Sequence, residues 1–509
     1  MATFTYPGVH IEEIPSGQQT ITGVATSIAA FVGWANQGPV GEAVMVESWP
    51  QYQATFGGMI PGIYLGYAVY QFFQNGGAQA YIIRLVDTDA VTASATIGGL
   101  PFTAANQGAW GNNVSVTINN VTSTTFNLQV TITNGSQTQT VESYTNLSIY
   151  QANAQYAVTV INNDSNYIRL NATPSGSPSA IKIPTAASAV TLNGGGADSG
   201  NDGTQLLTTA AEFKTQLTGA TSGYQLLANV PIFNLLCVPG FVDATTVEAM
   251  EQFCNTSRAF LIVDSAPTQN VSSTTVSALA SSGPSDGTTA ITGNYTSNSA
   301  FYFPWVTAPD PQAGFRPANF PPSGFVAGLY AATDADRGVW KAPAGIDASL
   351  TGALGLQYVM TDTENGSLNQ MGINCLRQFP VYGNVIWGAR TIAGADAAGS
   401  QWKYIPIRRL ALFIESSLYS GTQWAVFEPN SDPLWAQVRL SVGSFMQGLF
   451  LQGAFAGTAP PQAYFVKCDG ENNPDTSVAQ GILNITVGFA PLYPAEFVVI
   501  QIQQMMNQS

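Results

Sequence analysis

Two short apolar stretches, one near each end of this 509-residue chain, read as β-strands with nothing nearby to pair with. At the start, VHIEEI (residues 9–14) lies between Pro7 and Pro15. Val9, Ile11 and Glu13 fall on one face and His10, Glu12 and Ile14 on the other, the period of two of a strand bounded by breakers. The residues that follow, SGQQTITG, are small and polar and supply no hairpin partner. Near the other end EFVVIQI (residues 496–502) stands in the same isolation after Pro491 and Pro494. An unpaired strand exposes a row of backbone donors and acceptors, so each must be completed by a distant part of its own chain or by another chain. Gly17, Gly23 and residues 490–495 are the expected hinges of the two tethers.

With 45% hydrophobic and 11% aromatic residues the chain can bury several cores. Only 9% of residues are charged, against roughly 25% in ordinary soluble proteins. Ser, Thr, Asn, Gln and 50 glycines take their place, which predicts a neutral polar surface or one largely covered by other subunits. A formal charge of −15 argues against direct binding of nucleic acid, which needs Lys and Arg to displace phosphate counterions. Cys237, Cys254, Cys375 and Cys468 show no CxxC spacing and sit mostly in apolar runs such as NLLCVPGF, so they read as buried thiols of a reducing compartment. The N-terminus lacks a basic region followed by an apolar core, so no signal peptide is expected. The longest apolar stretch, VGSFMQGLFLQGAFAG, is broken by Gln447 and Gln452. It is shorter than the ~20 residues that cross a bilayer, and no membrane insertion is expected.

The fold class expected is α/β (α+β mixed), in several domains. From residue 21 to 90, strands such as ITGVATSIAAFVGW and AYIIRLV alternate with helices, one capped by Ser48 with Pro50 in its first turn and one ending at Asn75-Gly76-Gly77. Residues 91–203 differ: few charges among Thr, Asn and Ser, alternating runs such as NVSVTINNV, and turn dipeptides such as Asn134-Gly135 predict an inserted β-rich domain with a glycine-rich exit. Strand–helix alternation resumes over 204–375, interrupted by a low-complexity stretch, residues 267–299, read as a surface loop. Residues 376–490 form a C-terminal domain with two long helices, one ending at Gly421 and one opening at Asp432-Pro433, then two strands, QAYFVKC and GILNITVGFA. Residues 1–20 and 491–509 are the arms.

Nothing in the sequence assembles an active site. His10 is the sole histidine and lies on a terminal strand, which excludes most Ser-His-Asp or Cys-His sets. The loop Asp469-x-Glu471-x-Asn473-x-Asp475 resembles a calcium loop only superficially, since Pro474 and Gln480 occupy the positions of the needed Gly and Glu; it reads as a solvated hairpin loop. No GxxxxGK[ST] motif is present, and the acid pairs Asp334/Asp336 and Asp362/Glu364 read as helix-start caps, with a glycosidase-like hydrolytic pair as the alternative. No enzyme, cofactor or metal site is predicted.

Taken together, YPGVHIEEIPSG, FYFPWVTAPDP, PPSGFVAGLYAATDADRGVWKAPAG, GINCLRQFPVYGNVIWGART, GTQWAVFEPNSDPLWAQVR and CDGENNPDTSVAQGILNITVGFAPLYPAEFVV resemble the tail sheath protein of contractile bacteriophages and of phage-derived contractile injection systems. The resemblance spans the first ~90 residues and nearly everything after Thr204. It implies a homo-oligomer assembled in the bacterial cytoplasm, a helical sheath of stacked rings around an inner tube protein, bounded by baseplate and terminator proteins, whose contraction drives the tube through a target envelope. A non-contractile baseplate or capsid protein is the alternative.

Under that resemblance the lone strands are subunit-linking arms. The N-terminal arm presents Val9, Ile11 and Ile14, and the C-terminal arm Phe497, Val498, Val499, Ile500 and Ile502. Each would join a neighbour's acceptor sheet containing Tyr464, Val466, Leu483, Ile485 and Val487. Lys403, Arg408 and Arg409 concentrate positive charge in an acidic chain and are the expected tube-facing residues.

Overall fold

The structure, a computed structural model, describes residues 19–135, 137–193 and 199–501; Val9, His10, Ile11, Ile14, Gly17 and Ile502 lie outside them. The chain divides into two compact units, one of residues 26–336 and 343–405, the other of residues up to 25, 337–342 and from 406 onward.

The larger unit begins with β1 (Ala29–Trp34), β2 (Ala43–Val46), α1 (Trp49–Phe56), α2 (Tyr64–Gln74) and β3 (Ala80–Leu85). The local signals act as expected: Ser48 accepts from the Gln51 backbone N–H, and Gly57 closes α1 with φ +89°. The insertion contributes β4 (Ser94–Ile97), β5 (Leu100–Ala104), β6 (Val114–Asn119), β7 (Thr125–Asn134), β8 (Gln137–Ser148), α3 (Ala157–Asp164), β9 (Ile168–Leu170) and β10 (Ala187–Thr191). Their sheets, β10-β6-β7-β8 and β4-β5-β9, enclose a core that includes Phe102, Phe126, Leu128, Ile161 and Leu170.

The chain then returns through α4 (Ala211–Thr218), β11 (Leu235–Cys237), α5 (Ala244–Ser257), β12 (Phe260–Asp264), α6 (Ser273–Ser282), β13 (Ser299–Phe303), β14 (Val306–Asp310), β15 (Arg316–Phe320), α7 (Ser323–Arg337), β16 (Gly355–Leu356), α8 (Asp362–Gln370), β17 (Ile373–Phe379) and β18 (Gly383–Ile386). The central sheet has the order β18-β17-β13-β12-β11-β1-β3-β2. Its six inner strands are parallel, and β2 and β18 run antiparallel at the edges. β1, β12 and β13 are buried along their whole length, as continuous apolar strands covered on both faces must be.

Three expectations change here. Residues 267–299 are not simply a loop: Ser272 and Thr275 form a capping box, and buried Val276 and Leu279 seat α6. Asp334 and Asp336 lie near the end of α7 rather than at a helix start. The expected domain boundary at residue 376 falls inside β17, because Cys375 and Leu376 are buried in the central sheet; the chain passes from the larger unit into the last segment of the smaller one between Ile405 and Pro406.

The insertion is joined to the sheet at a tight junction. The Val91 N–H donates to the Asn201 carbonyl at 2.8 Å and the Asn201 N–H returns the bond at 3.0 Å. Arg84, buried at the end of β3, donates to the carbonyls of Ala35, Gly38 and Gln107, tying both sides of the junction together.

The smaller unit contains α9 (Ile405–Gly421), α10 (Asp432–Leu451), α11 (Pro460–Ala463), β19 (Tyr464–Lys467), α12 (Asp475–Ala479) and β20 (Thr486–Phe489). α9 ends at Gly421 and α10 opens at Asp432-Pro433, as the sequence predicts. Leu434, Val438, Val442, Phe445 and Leu449 of α10 form one side of the core, and Leu410 and Ile414 of α9 another. All four cysteines are buried and free.

Candidate subunit-linking surface

β19 and β20 form an antiparallel pair in which Tyr464 faces Phe489, Phe465 faces Gly488, Val466 faces Val487 and Lys467 faces Thr486. Among the described residues neither strand has a third strand beside it. A two-stranded hairpin is marginal by itself, and here it is supported from one side. The Tyr464 hydroxyl donates to Gln447 Oε1 of α10 at 2.8 Å, and the Phe455 ring lies 6.1 Å from Tyr464 and 5.8 Å from Phe489. A Cβ on Gly488 would meet the Phe465 ring at 2.2 Å, so glycine lets that ring lie across the pair while Phe465 stays 56% exposed.

The acceptor residues are therefore only partly gathered into strands. Tyr464, Val466 and Val487 are in the pair and half-buried, whereas Leu483 and Ile485 precede β20 and pack against the helical core from a loop. Asparagines take over the backbone there. The Asn484 N–H donates to Asn473 Oδ1 at 2.6 Å, Asn484 Nδ2 donates to the Asn472 carbonyl at 3.0 Å, and Asn472 Nδ2 donates to the Lys467 carbonyl at 3.1 Å. This network shortens the strand expected over GILNITVGFA to four residues, and it buries Asn473 in a loop expected to be solvated. No group of three or more His, Cys, Asp and Glu residues among the described residues could hold a metal.

The C-terminal arm leaves from this hairpin. The Ala490 N–H donates to the Ala463 carbonyl at 2.8 Å and Pro491 bridges Phe455, after which residues 492–501 form no strand. Phe497, Val498, Val499 and Ile500 are consecutive and 74–80% exposed. Four adjacent apolar side chains in water forgo about 1.5–3 kcal/mol of burial each. On the N-terminal side Gly23 is no free hinge: a Cβ there would meet Phe413 at 2.8 Å, and the Val24 N–H donates to Ser417 Oγ of α9.

The expected tube-facing cations do not form an exposed patch. Arg408 and Arg409 are 7% and 3% exposed, within the first turns of α9, where residues 405–412 are buried without a break. Burial pushes the Arg408 guanidinium down, while Glu415 at 3.5 Å pulls it back up. Lys403 belongs to the larger unit, where it pairs with Asp396 at 2.7 Å, a carboxylate shared with buried Arg390 at 2.9 Å. Of the acid pair at the start of α8 only Glu364 caps, in a reciprocal capping box with Thr361, whereas Asp362 pairs with Arg377.

A family model described as the phage tail sheath protein central domain matches residues 227–392, and one described as the phage tail sheath C-terminal domain matches residues 397–505. A putative prophage major tail sheath protein of Pseudomonas aeruginosa (strain UCBPP-PA14) is 26% identical over 178 residues, 35% of this chain and 44% of that protein. The tail sheath protein of Vibrio phage KVP40 is 23% identical over 181 residues, 35% of this chain and 26% of that protein. The chain thus matches less than half the length of these curated relatives. Among solved structures, the sheath complex of the extracellular contractile injection system PVC in its contracted state aligns with a TM-score of 0.60 at 22% identity, covering 99% of each chain. The contracted helical sheath of the anti-feeding prophage (AFP) aligns at 0.58 and 24% identity over 99% of this chain and 100% of that one. At these identities the likeness is one of fold.

Proposed function

This chain belongs to the phage tail sheath protein family, and from that premise we propose that it is the repeating subunit of a contractile sheath, a structural protein and not an enzyme. Subunits assemble as stacked helical rings around an inner tube, between baseplate and terminator proteins, and shortening of the sheath drives the tube through a target envelope. Assembly in the bacterial cytoplasm fits four free buried thiols; among the described residues no helix is long and apolar enough to cross a membrane.

The observation that carries this reading is a mismatch within one unit: a sheet of two strands beside an arm that presents four apolar residues to solvent. Each defect is the complement of the other, provided the arm completes the sheet of a neighbouring copy. Phe497, Val498, Val499 and Ile500 are the donors, and β19–β20 the acceptor; Val9, Ile11 and Ile14 are proposed for the N-terminal arm. Linked in this way, subunits can rotate as rigid bodies without losing their neighbours. Electron microscopy of purified particles tests the proposal: tubular sheaths in a long and a short state are expected, and a closed shell or a single invariant length would favour a capsid or baseplate protein instead.

A further inference from the structure

Glu251 lies on the inner face of α5 with no exposed surface. Its Oε1 is 2.5 Å from the hydroxyl of Ser299, the first residue of β13, and its Oε2 has no hydrogen-bond partner. The same Ser299 hydroxyl lies 3.2 Å from the carbonyl of Thr296, in the turn that leads into β13.

The Ser299 hydroxyl has one hydrogen and two oxygens facing it. If Glu251 is ionised, Ser299 must donate to it, the Thr296 carbonyl loses its donor, and a buried carboxylate keeps one oxygen unpaired. If Glu251 carries a proton, its O–H donates to Ser299 Oγ, the Ser299 O–H donates to the Thr296 carbonyl, and only a neutral carbonyl oxygen is left unpaired. The second arrangement satisfies the chain of bonds and avoids an uncompensated buried charge.

We propose that Glu251 is a neutral carboxylic acid in the folded subunit and serves as an alkali-sensitive latch between α5 and the central sheet. The groups around it agree. Burial is the main influence that pushes its carboxyl up, to about 7; the Ser299 bond opposes this and Glu248, one turn earlier on α5, adds to it. Of the other titratable groups here, Cys254 on α5 interacts with Glu251, and Cys237 on β11 and Tyr224 in the turn before it interact with Cys254; burial pushes all three up. Asp264 makes the contrast. It is equally buried, but every bond it makes comes from a donor, Gly240 N–H, Ser323 N–H and Ser323 O–H, so it gives up its proton more readily than Glu251.

A carboxyl that holds its proton more tightly when folded contributes stability that is fully present below its unfolded value of 4.5 and is lost as pH rises through about 7. Thermal and urea unfolding of the full-length protein and of Glu251→Gln tests this. From about pH 6 to about pH 8 the folded-to-unfolded ratio of the parent should fall about tenfold more than that of Glu251→Gln, which keeps a neutral donor at the same place. Infrared spectra near neutral pH should show a protonated-carboxyl band in the parent that Glu251→Gln removes and Ser299→Ala shifts; the shift in Ser299→Ala remains readable if Glu251→Gln does not fold. An identical pH slope in the two proteins, or a carboxyl band indifferent to Ser299→Ala, would overturn the proposal.

Discussion

Asp264 and Ser323 bind each other twice, the Ser323 backbone N–H donating to Oδ1 at 2.7 Å and its hydroxyl to Oδ2 at 2.8 Å. The Gly240 N–H donates to Oδ2 as well, at 2.9 Å, so one carboxylate at the end of β12 fastens the turn after β11 and the first residue of α7. A carboxylate is also the favourable ion beside a helix N-terminus. Burial pushes Asp264 up to about 6 against these three donors, which still leaves it ionised at neutral pH. Asp264→Asn should destabilise the larger unit by about 2–3 kcal/mol, because the amide NH₂ must face a donor, whereas Ser323→Ala should cost about 1 kcal/mol. Urea unfolding at neutral pH measures both, and equal losses would contradict the clasp.

At the N-terminus of α5, Asp243 accepts from the Thr246 N–H and hydroxyl at 2.9 and 2.6 Å, from the Thr245 hydroxyl at 2.8 Å and from Lys214 Nζ at 2.8 Å. Burial works to raise its carboxyl, but Lys214, Thr246 and Thr245 overcome it and hold Asp243 well below the usual carboxylate range. The stability it confers is therefore present above the ordinary value of 3.8 and lost as pH falls below it. Asp243→Ala should cost about 1 kcal/mol at neutral pH, and the deficit should shrink in acid; calorimetry across the acid range would show a constant deficit if the cap did not titrate.

The paired ends of the insertion make it removable. Because Val91 and Asn201 exchange backbone hydrogen bonds, a short Gly/Ser linker in place of residues 92–200 spans the gap without moving the central sheet. Arg84 would lose the Gln107 carbonyl but keep those of Ala35 and Gly38. The shortened protein should fold and still form tubes in negative-stain images. Folded monomers that never polymerise would mean that the insertion makes essential contacts between subunits.

Removing residues 496–509 takes away the exposed Phe497, Val498, Val499 and Ile500 and none of the residues of the helical core of the smaller unit. The truncated chain should stay folded and soluble but should not polymerise, since each neighbour would lose a strand. That strand would supply several backbone hydrogen bonds of about 0.5–1.5 kcal/mol net each, together with its buried apolar side chains. Sedimentation of the truncated protein, coexpressed with tube and baseplate proteins, checks this. Sheaths of normal length would refute strand exchange, and an aggregated chain would mean that the arm belongs to its own subunit's core.

Much of this architecture is written locally. Ser48, Gly421 and Asp432-Pro433 set helix ends through backbone groups a few residues away, and the change from a period near 3.6 to one of 2 announces the insertion, so these features follow from short stretches read in order. An acid closing the apolar run AFLIVD also hints at Asp264. Tertiary structure alone decided the rest. It seated β1 between β3 and the distant β11, turned Arg408 and Arg409 inward although their sequence shows only two adjacent cations, and gave Glu251 a single serine as its partner. Helix phase and strand alternation say which residues share a face; what covers that face depends on segments hundreds of residues apart, and burial and partner then decide whether a carboxyl is an ion or an acid.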